Sequence, residues 1–200
     1  SGTFAYMQNS SGAIYLAGNQ NPGVSNPQHA AGALVVAKAD DKKLNKLTDL
    51  RNKRVASEGR ESFFGMQVVL NELRRATERP DQFFDVTTVH QGSLEVARKV
   101  LENKADAGIM KTCELEYLYE HNLIAKDSLK PVGLTRDRGI DCMSSTPLYP
   151  DLVFAANPHV PAQINSKVAE ILLSMPSTAK GYKWVVANDF RDVIHVIRRF

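Results

Sequence analysis

Three short polar segments carry the side chains best suited to binding a small ligand. Residues 58–62, 90–93 and 111–113 each follow a short apolar run and precede a helical pattern. At such strand-to-helix junctions, unpaired helix N–H groups and the helix dipole favour an anion, while hydroxyls and cationic side chains add hydrogen bonds and charge. Ser62 and Ser93 are equally well explained as helix caps. The candidate ligand-binding residues in or beside these segments are Arg60, Ser62, Phe63, His90, Ser93, Lys111 and Thr112.

The motifs of common enzyme classes are missing from the sequence. It contains no G-x-S-x-G, no P-loop and no G-x-G-x-x-G. His90 ends a predicted strand, whereas the other four histidines are interpreted as surface residues. A nucleophilic pair of Cys113 and His90 lacks a third group to orient it, and no cysteine or histidine spacing is typical of a metal site. We therefore expect a non-catalytic protein with no cofactor and no metal.

The elements that must position these residues are predicted from apolar runs and helix caps. The predicted strands are residues 33–37, 53–57, 84–89, 107–110, 129–134 and 152–156. The predicted helices are residues 4–7, 63–77, 94–104, 114–119, 162–173, 184–186 and 190–197. Residues 18–23 are rich in turn formers and are predicted to form a loop. This alternation predicts an α/β fold with a parallel or mixed sheet.

Composition limits the classes of protein to consider. The 200 residues are 43% hydrophobic, which suffices for one ordinary domain or two small lobes. The 25 cationic and 22 anionic residues are scattered, and a net charge of +3 does not indicate a nucleic-acid-binding surface. There is no run of about 18 apolar residues and no opening pattern of a signal peptide. The two cysteines, Cys113 and Cys142, are compatible with two thiols or with one disulfide.

Three stretches of sequence resemble type 2 periplasmic binding proteins. Residues 47–56, LTDLRNKRVA, resemble the L-x-D-L-x-G-K-x-V-A entry strand of that family. Residues 105–116 resemble the D-x-G-x-x-R-T-x-x-L-E segment of its phosphate/phosphonate-binding group. Residues 145–151 are similar to the S-T-x-L-Y-P crossing segment, in a form closer to the sensor domains of histidine kinases, such as tetrathionate sensors. The resemblance runs from about Ala33 to the C-terminus.

The resemblance implies two α/β lobes with mixed sheets and helices on both faces, holding a ligand between them. The first lobe would comprise residues 1–46 and 138–200, and the second lobe residues 47–137. Ser145 and Thr146 at the return crossing then become candidate ligand-binding residues. The family's opening strand–helix–strand unit has no counterpart in residues 1–200, so we expect a truncated first lobe. Lys111 stands where the sensor-like pattern often has Arg, which changes the anion shape that it favours.

The same resemblance bears on the cysteines. It places Cys113 at the start of a helix and Cys142 before the return crossing, and an extracytoplasmic compartment permits a disulfide. We therefore favour a Cys113–Cys142 disulfide over two reduced thiols, with a reactive Cys113 that meets a sulfur-containing ligand as a third option.

The expected function is that of an extracytoplasmic sensor domain of a two-component histidine kinase that recognises a small anionic solute. Its partner would be a membrane-anchored kinase module in the same chain, and we expect no nucleic-acid partner. The alternative is the solute-binding receptor of an ABC transporter for phosphonate, phosphate or other oxyanions, with a permease as its partner. A third hypothesis is an enzyme that shares the fold.

Overall fold

Strands and helices alternate along the chain, as the apolar runs predict. A computed structural model describes residues 2–135, 139–186 and 189–199. Its strands are β1 Ile14–Gln20, β2 Ala33–Lys38, β3 Arg54–Ser57, β4 Asp85–Thr88, β5 Ala107–Lys111, β6 Leu129–Val132, β7 Val153–Ala156 and β8 Lys183–Val185. Its α-helices are α1 Gly2–Ser11, α2 Val68–Leu73, α3 Gly92–Leu101, α4 Glu114–Glu120, α5 Ala162–Ser174 and α6 Arg191–Ile197.

Two compact units make up the described chain. Unit 1 comprises residues 2–31, 139–141, 148–186 and 189–199, and unit 2 comprises residues 32–135 and 142–147. Residues 32–46 are predicted to lie in the first lobe, but they belong to unit 2, because β2 pairs with β5 and β6. Residues 142–147 also join unit 2, since Ser145 N–H donates to the Ala33 carbonyl. The predicted boundary between Asp137 and Arg138 lies outside the described residues.

Unit 2 is built on a five-stranded mixed sheet with the order β4-β3-β5-β2-β6. The strands β4, β3 and β5 are parallel to one another, and β2 runs antiparallel to β5 and to β6. Parallel strands need a long crossover connection, and α3 supplies it between β4 and β5 and packs on β5. The prediction of a mixed α/β sheet is therefore confirmed in this unit.

The core of unit 2 lies between the sheet and its helices. Helix α3 buries Val96, Ala97 and Val100 along one face, at the spacing expected of an amphipathic helix. These side chains meet β2 and β5 in a cluster that also contains residues of α4. At Gly108, a Cβ would collide with Val96, so the glycine lets α3 approach β5 closely.

Unit 1 contains a three-stranded antiparallel sheet with the order β7-β1-β8. Helices α1 and α6 pack together, and an aromatic cluster of Phe4, Tyr15 and Phe190 joins them to β1. Helix α5 packs against β1 and β8. Two sequence predictions are wrong here: residues 18–20 of the predicted loop 18–23 belong to β1, and residues 184–185 of the predicted helix 184–186 belong to β8.

Candidate functional site

The three polar segments meet at one edge of the unit 2 sheet. Because β4, β3 and β5 are parallel neighbours, their carboxyl ends lie at the same edge. Residues 58–62 follow β3, the middle one of the three parallel strands, residues 89–91 follow β4, and residues 112–113 follow β5. We call this the junction edge. The residues predicted from the sequence are therefore brought to one side of one sheet.

Ser62 begins the helical segment that follows β3. Its Oγ accepts a hydrogen bond from the Gly65 N–H at 3.0 Å and donates to Glu58 Oε2 at 3.1 Å. Ser62 thus acts as a helix cap, which is one of the two roles that the sequence left open. The segment Phe63–Gln67 is a π-helix that continues into α2. Arg60 is exposed, and its guanidinium donates to the Asp81 carbonyl at 2.9 Å, in the turn that leads into β4.

The junction after β4 is organised by a carboxylate. Glu95 Oε2 accepts hydrogen bonds from the His90 N–H at 2.9 Å and the Gln91 N–H at 3.0 Å. These two bonds are the main reason that the pKa of Glu95 lies below its usual value, so the side chain is ionised at neutral pH. The backbone amides that we expect to bind a ligand anion therefore donate to a carboxylate of the protein itself. The His90 side chain is exposed.

Ser93 links two helix starts. Its Oγ donates to Glu114 Oε2 at 2.7 Å and so connects the first turn of α3 to the first turn of α4. Sequence reasoning missed Glu58, Glu95 and Glu114, each of which accepts hydrogen bonds at the junction edge. The signal that could have revealed Glu95 and Glu114 is their position in the first turn of a helix, where carboxylates are favoured.

Lys111 ends β5 beside an aromatic ring. Its Nζ lies 5.5 Å from the centroid of the Phe64 ring, within the range of a cation–π interaction. Phe63 is one of the candidate ligand-binding residues. In the structure it is buried and packs edge-on against Phe64, which is half-buried, so a role of Phe63 in ligand binding stays a prediction.

Thr112, Ser145 and Thr146 are buried at the same end of the sheet. Thr112 Oγ1 accepts from the Gly32 N–H, and Thr146 Oγ1 accepts from the Ala33 N–H at 2.9 Å. The sequence interpretation gave these hydroxyls to a ligand. In the structure they satisfy backbone groups at the start of β2, and their role in ligand binding stays a prediction.

Ser145 makes the most complete of these contacts. Its Oγ accepts from the Val35 N–H at 2.9 Å and donates to the Val132 carbonyl at 2.7 Å, so one hydroxyl bridges β2 and β6.

Cys113 and Cys142, for which we favoured a disulfide, are joined by one in unit 2, with their Cα atoms 5.0 Å apart. Cys113 is the residue before α4 and has a left-handed backbone with φ of 71°. A second link lies beside the disulfide, because the Met143 N–H donates to Glu116 Oε1 at 2.8 Å. Residues 142–147 are thus tied both to α4 and to the start of β2.

The junction edge carries groups that can form hydrogen bonds and ion pairs. Hydroxyls, amides, an ammonium group and carboxylates are present, and they suit a small polar solute.

Among residues 2–135, 139–186 and 189–199 no group of three or more His, Cys, Asp or Glu side chains could hold a metal ion. In the same part of the chain no helix is both long and apolar enough to cross a membrane. A cavity of about 210 Å³ in unit 1 contains none of the predicted residues.

The fold and the family match define the class of protein. The mixed α/β architecture is that of the type 2 periplasmic binding proteins, as the sequence resemblance implies, and this expected fold class is confirmed. The chain belongs to the family described as "ABC transporter, phosphonate, periplasmic substrate-binding protein", whose model matches residues 1–196. This is a family of substrate-binding domains and not of catalysts, and it supports an extracytoplasmic location.

Individual relatives add detail. The tetrathionate sensor histidine kinase TtrS of Salmonella typhimurium is 29% identical over 136 residues, which are 68% of this chain and 23% of that protein. The chain therefore spans about a quarter of the length of this curated relative. The structure of XAC2383 from Xanthomonas citri superposes with a TM-score of 0.71 at 14% identity. The match covers 99% of this chain and 74% of the XAC2383 chain. The structure of PhnD1 from Prochlorococcus marinus in complex with methylphosphonate superposes with a TM-score of 0.63 at 14% identity. The match covers 94% of this chain and 71% of the PhnD1 chain.

Proposed function

We propose that this chain is the ligand-binding part of an extracytoplasmic sensor of a two-component histidine kinase, and that it recognises a small anion at the junction edge of unit 2. The observation that carries the proposal is the 29% identity to a tetrathionate sensor histidine kinase over two thirds of this chain. The kinase module would be part of the full-length protein, anchored in the membrane, and ligand binding would bias it by favouring one conformation of the receptor.

The geometry of the junction edge supports an anion as the ligand. Backbone N–H groups before α3 donate to a carboxylate, that of Glu95, and this supports an oxyanion as a ligand for them. Ser93 donates to a second carboxylate, and the Lys111 ammonium group ends the neighbouring strand. A solute oxyanion would take the place of one or more of these glutamate oxygens and receive the same hydrogen bonds.

A second candidate function is that of a solute receptor for an ABC transporter. The description of the family and the fold shared with a methylphosphonate-bound protein favour it. The two functions place the same site in different full-length proteins. Deletion of the gene would abolish the transcriptional response to the solute in a sensor, and would abolish uptake of the solute in a receptor.

The direct test is binding of defined oxyanions to the purified protein. Tetrathionate, thiosulfate, phosphate and methylphosphonate are titrated by calorimetry, with thermal unfolding as a second measurement. A solute present at 100 times its dissociation constant should add about 2.7 kcal/mol to the free energy of unfolding. We expect Lys111→Ala to weaken binding of the active anion about tenfold. Lys126→Ala, which removes an exposed lysine outside the junction edge, should leave binding unchanged.

Glu95→Gln tests the sign of the ligand charge. The amide oxygen of Gln can still accept from the two N–H groups, but the competing negative charge is gone. If the ligand is an anion, its affinity should rise about threefold to tenfold, because the repulsion by the Glu95 carboxylate is removed. Unchanged affinity in both Lys111→Ala and Glu95→Gln would remove the ligand from the junction edge, and opposite changes would indicate a cationic solute.

A further inference from the structure

The Cys113–Cys142 disulfide of unit 2 is accessible from solution. Cys113 is exposed and Cys142 is half-buried. Thiol–disulfide exchange begins when a thiolate attacks one of the two sulfurs, so its rate depends on access to the bond. Exposed disulfides are accordingly typical of bonds that are labile or regulatory. The exposure of this bond therefore permits a regulatory role beside its role in stability.

One end of the disulfide lies within the junction edge. Cys113 has a φ of 71°, a left-handed backbone conformation that residues with a Cβ rarely adopt. The residues on either side of it carry hydrogen bonds of that edge. Thr112 Oγ1 accepts from the Gly32 N–H at 3.1 Å, and Glu114 Oε2 accepts from Ser93 at 2.7 Å. Without the disulfide, residue 113 can relax towards negative φ, and this would turn both neighbours away from their partners.

The other end of the disulfide leads to the start of β2. Three residues after Cys142, the Ser145 N–H donates to the Ala33 carbonyl at 2.8 Å. Thr146 Oγ1 then accepts from the Ala33 N–H at 2.9 Å. Ala33 is paired with Lys111 in the sheet. A displacement of residue 142 is therefore transmitted through two hydrogen bonds to the strand beside the Lys111 ammonium group.

A noncovalent link between the same two segments lies beside the disulfide. Glu116 Oε1 accepts from the Met143 N–H at 2.8 Å. Glu116 Oε2 is buried, and among residues 2–135, 139–186 and 189–199 it has no hydrogen-bond partner. Desolvation of this oxygen without a compensating hydrogen bond offsets part of what the other oxygen gains. Opening of the disulfide would therefore leave a weak link between α4 and residues 142–147.

We propose that the Cys113–Cys142 disulfide is a redox switch that controls the order of the junction edge. The oxidised protein holds residue 113 and the start of β2 in the arrangement that binds the anion, and reduction loosens both and lowers the affinity. The reductant is a dithiol or two molecules of a thiol. Two electrons pass to the disulfide, two protons end on the cysteine sulfurs, and the reductant becomes a disulfide. The effect on affinity rests on the proposed function, whereas the effect on order does not.

Hydrogen exchange followed by mass spectrometry tests the change in order without any ligand. The oxidised protein is compared with the protein in dithiothreitol, and far-UV circular dichroism checks that both are folded. We expect the amides of residues 32–35 and 112–116 to exchange about tenfold faster after reduction, and those of β3 to exchange at an unchanged rate. Equal exchange in the two redox states would overturn the proposal. Unfolding of the whole of unit 2 on reduction would also overturn it, because the bond would then be needed for folding itself.

Leu44→Ala, kept oxidised, is the matched control for lost stability. Leu44 is buried and follows the end of β2 that lies opposite the junction edge. Its truncation lowers the stability of unit 2 but leaves the disulfide intact. If Leu44→Ala shows the same local rise in exchange as the reduced protein, the rise reports stability alone and the switch is refuted.

Anion titration tests the consequence for binding. The Cys113→Ser/Cys142→Ser variant contains no thiol, so tetrathionate, thiosulfate, phosphate and methylphosphonate can be titrated without oxidising it. The anion that wild type binds should bind this variant about tenfold more weakly, and Leu44→Ala with unchanged affinity. Unchanged affinity in the double variant, together with weaker binding by Lys111→Ala, would refute the switch and leave the proposed function standing. If wild type binds none of the four anions, the proposed function fails, and hydrogen exchange alone decides on the switch.

Discussion

Removal of the Cys113–Cys142 disulfide should lower the stability of unit 2 by an amount that follows from the loop it closes. The two cysteines are 29 positions apart in sequence. In the chain-entropy model, closing a loop of this length reduces the entropy of the unfolded chain by about 12 cal/mol/K, so the disulfide contributes about 3.6 kcal/mol at 25 °C. That is a large part of the stability of an ordinary domain.

The assay is urea unfolding of the wild type and of the Cys113→Ser/Cys142→Ser variant. With a denaturant slope of about 1–3 kcal/mol/M, the midpoint of unit 2 should fall by roughly 1.2–3.6 M. Far-UV circular dichroism follows both units, whereas Trp184, the one tryptophan in the sequence, reports on unit 1. The two signals together separate the effect on unit 2 from any effect on unit 1.

Reduction provides the matched control, because wild type unfolded in the presence of a strong reductant should behave like the double variant. The reasoning would be refuted by a loss below about 1 kcal/mol. It would also be refuted by mass spectrometry of the native, non-reduced protein in which both thiols are alkylated.

Three further predictions concern packing and charge in unit 2. Asp106 accepts three hydrogen bonds from Arg54, chiefly from its side chain, and these hold the pKa of Asp106 below its usual value. The bonds therefore stabilise the fold fully at a pH above the pKa that Asp106 has in the unfolded chain. This stabilisation is lost as the pH falls through the lower pKa that Asp106 has in the folded protein. Asp106→Asn should cost about 1 kcal/mol at pH 7, and wild type should lose more stability than the variant between pH 5 and pH 3, so parallel pH curves would exclude this role. Ser145→Ala should cost about 2 kcal/mol in urea unfolding because it leaves buried backbone groups of two strands unpaired, and a loss under 0.5 kcal/mol would argue that water replaces the hydroxyl. Gly108→Ala should cost about 1–3 kcal/mol, since the added methyl group meets Val96, and a thermal midpoint equal to that of wild type would contradict the close approach of α3.

The sequence predicts the elements of unit 2 better than those of unit 1, and the reason is physical. The strands of unit 2 are runs of buried apolar residues, such as those of β2, and such runs have a local signal. Strand β1 ends in Gly18, Asn19 and Gln20, which are typical of turns, and it is a strand because β7 and β8 pair with it on both sides. Tertiary pairing of this kind overrides local propensity and leaves no trace in a single sequence.

The candidate site, too, could be predicted only in part from the sequence. Its location at the ends of parallel strands could be predicted, because it depends on the order of elements along the chain. The direction of each hydroxyl could not, since Ser93 and Ser145 are chemically alike but one donates to a half-buried glutamate and the other bridges two strands. Residue type identifies what a group can donate, and only packing determines what it meets.

The carboxylate of Glu95 has one more consequence under the proposed function. A tethered competitor has a fixed local concentration, whereas the concentration of a solute outside the cell varies. The apparent dissociation constant of the receptor would therefore be raised by a factor set by how firmly residue 95 holds its two amides, and a threshold here means the solute concentration of half-maximal binding. Evolution could retune that threshold through position 95 and its neighbours alone, without altering any group that recognises the solute.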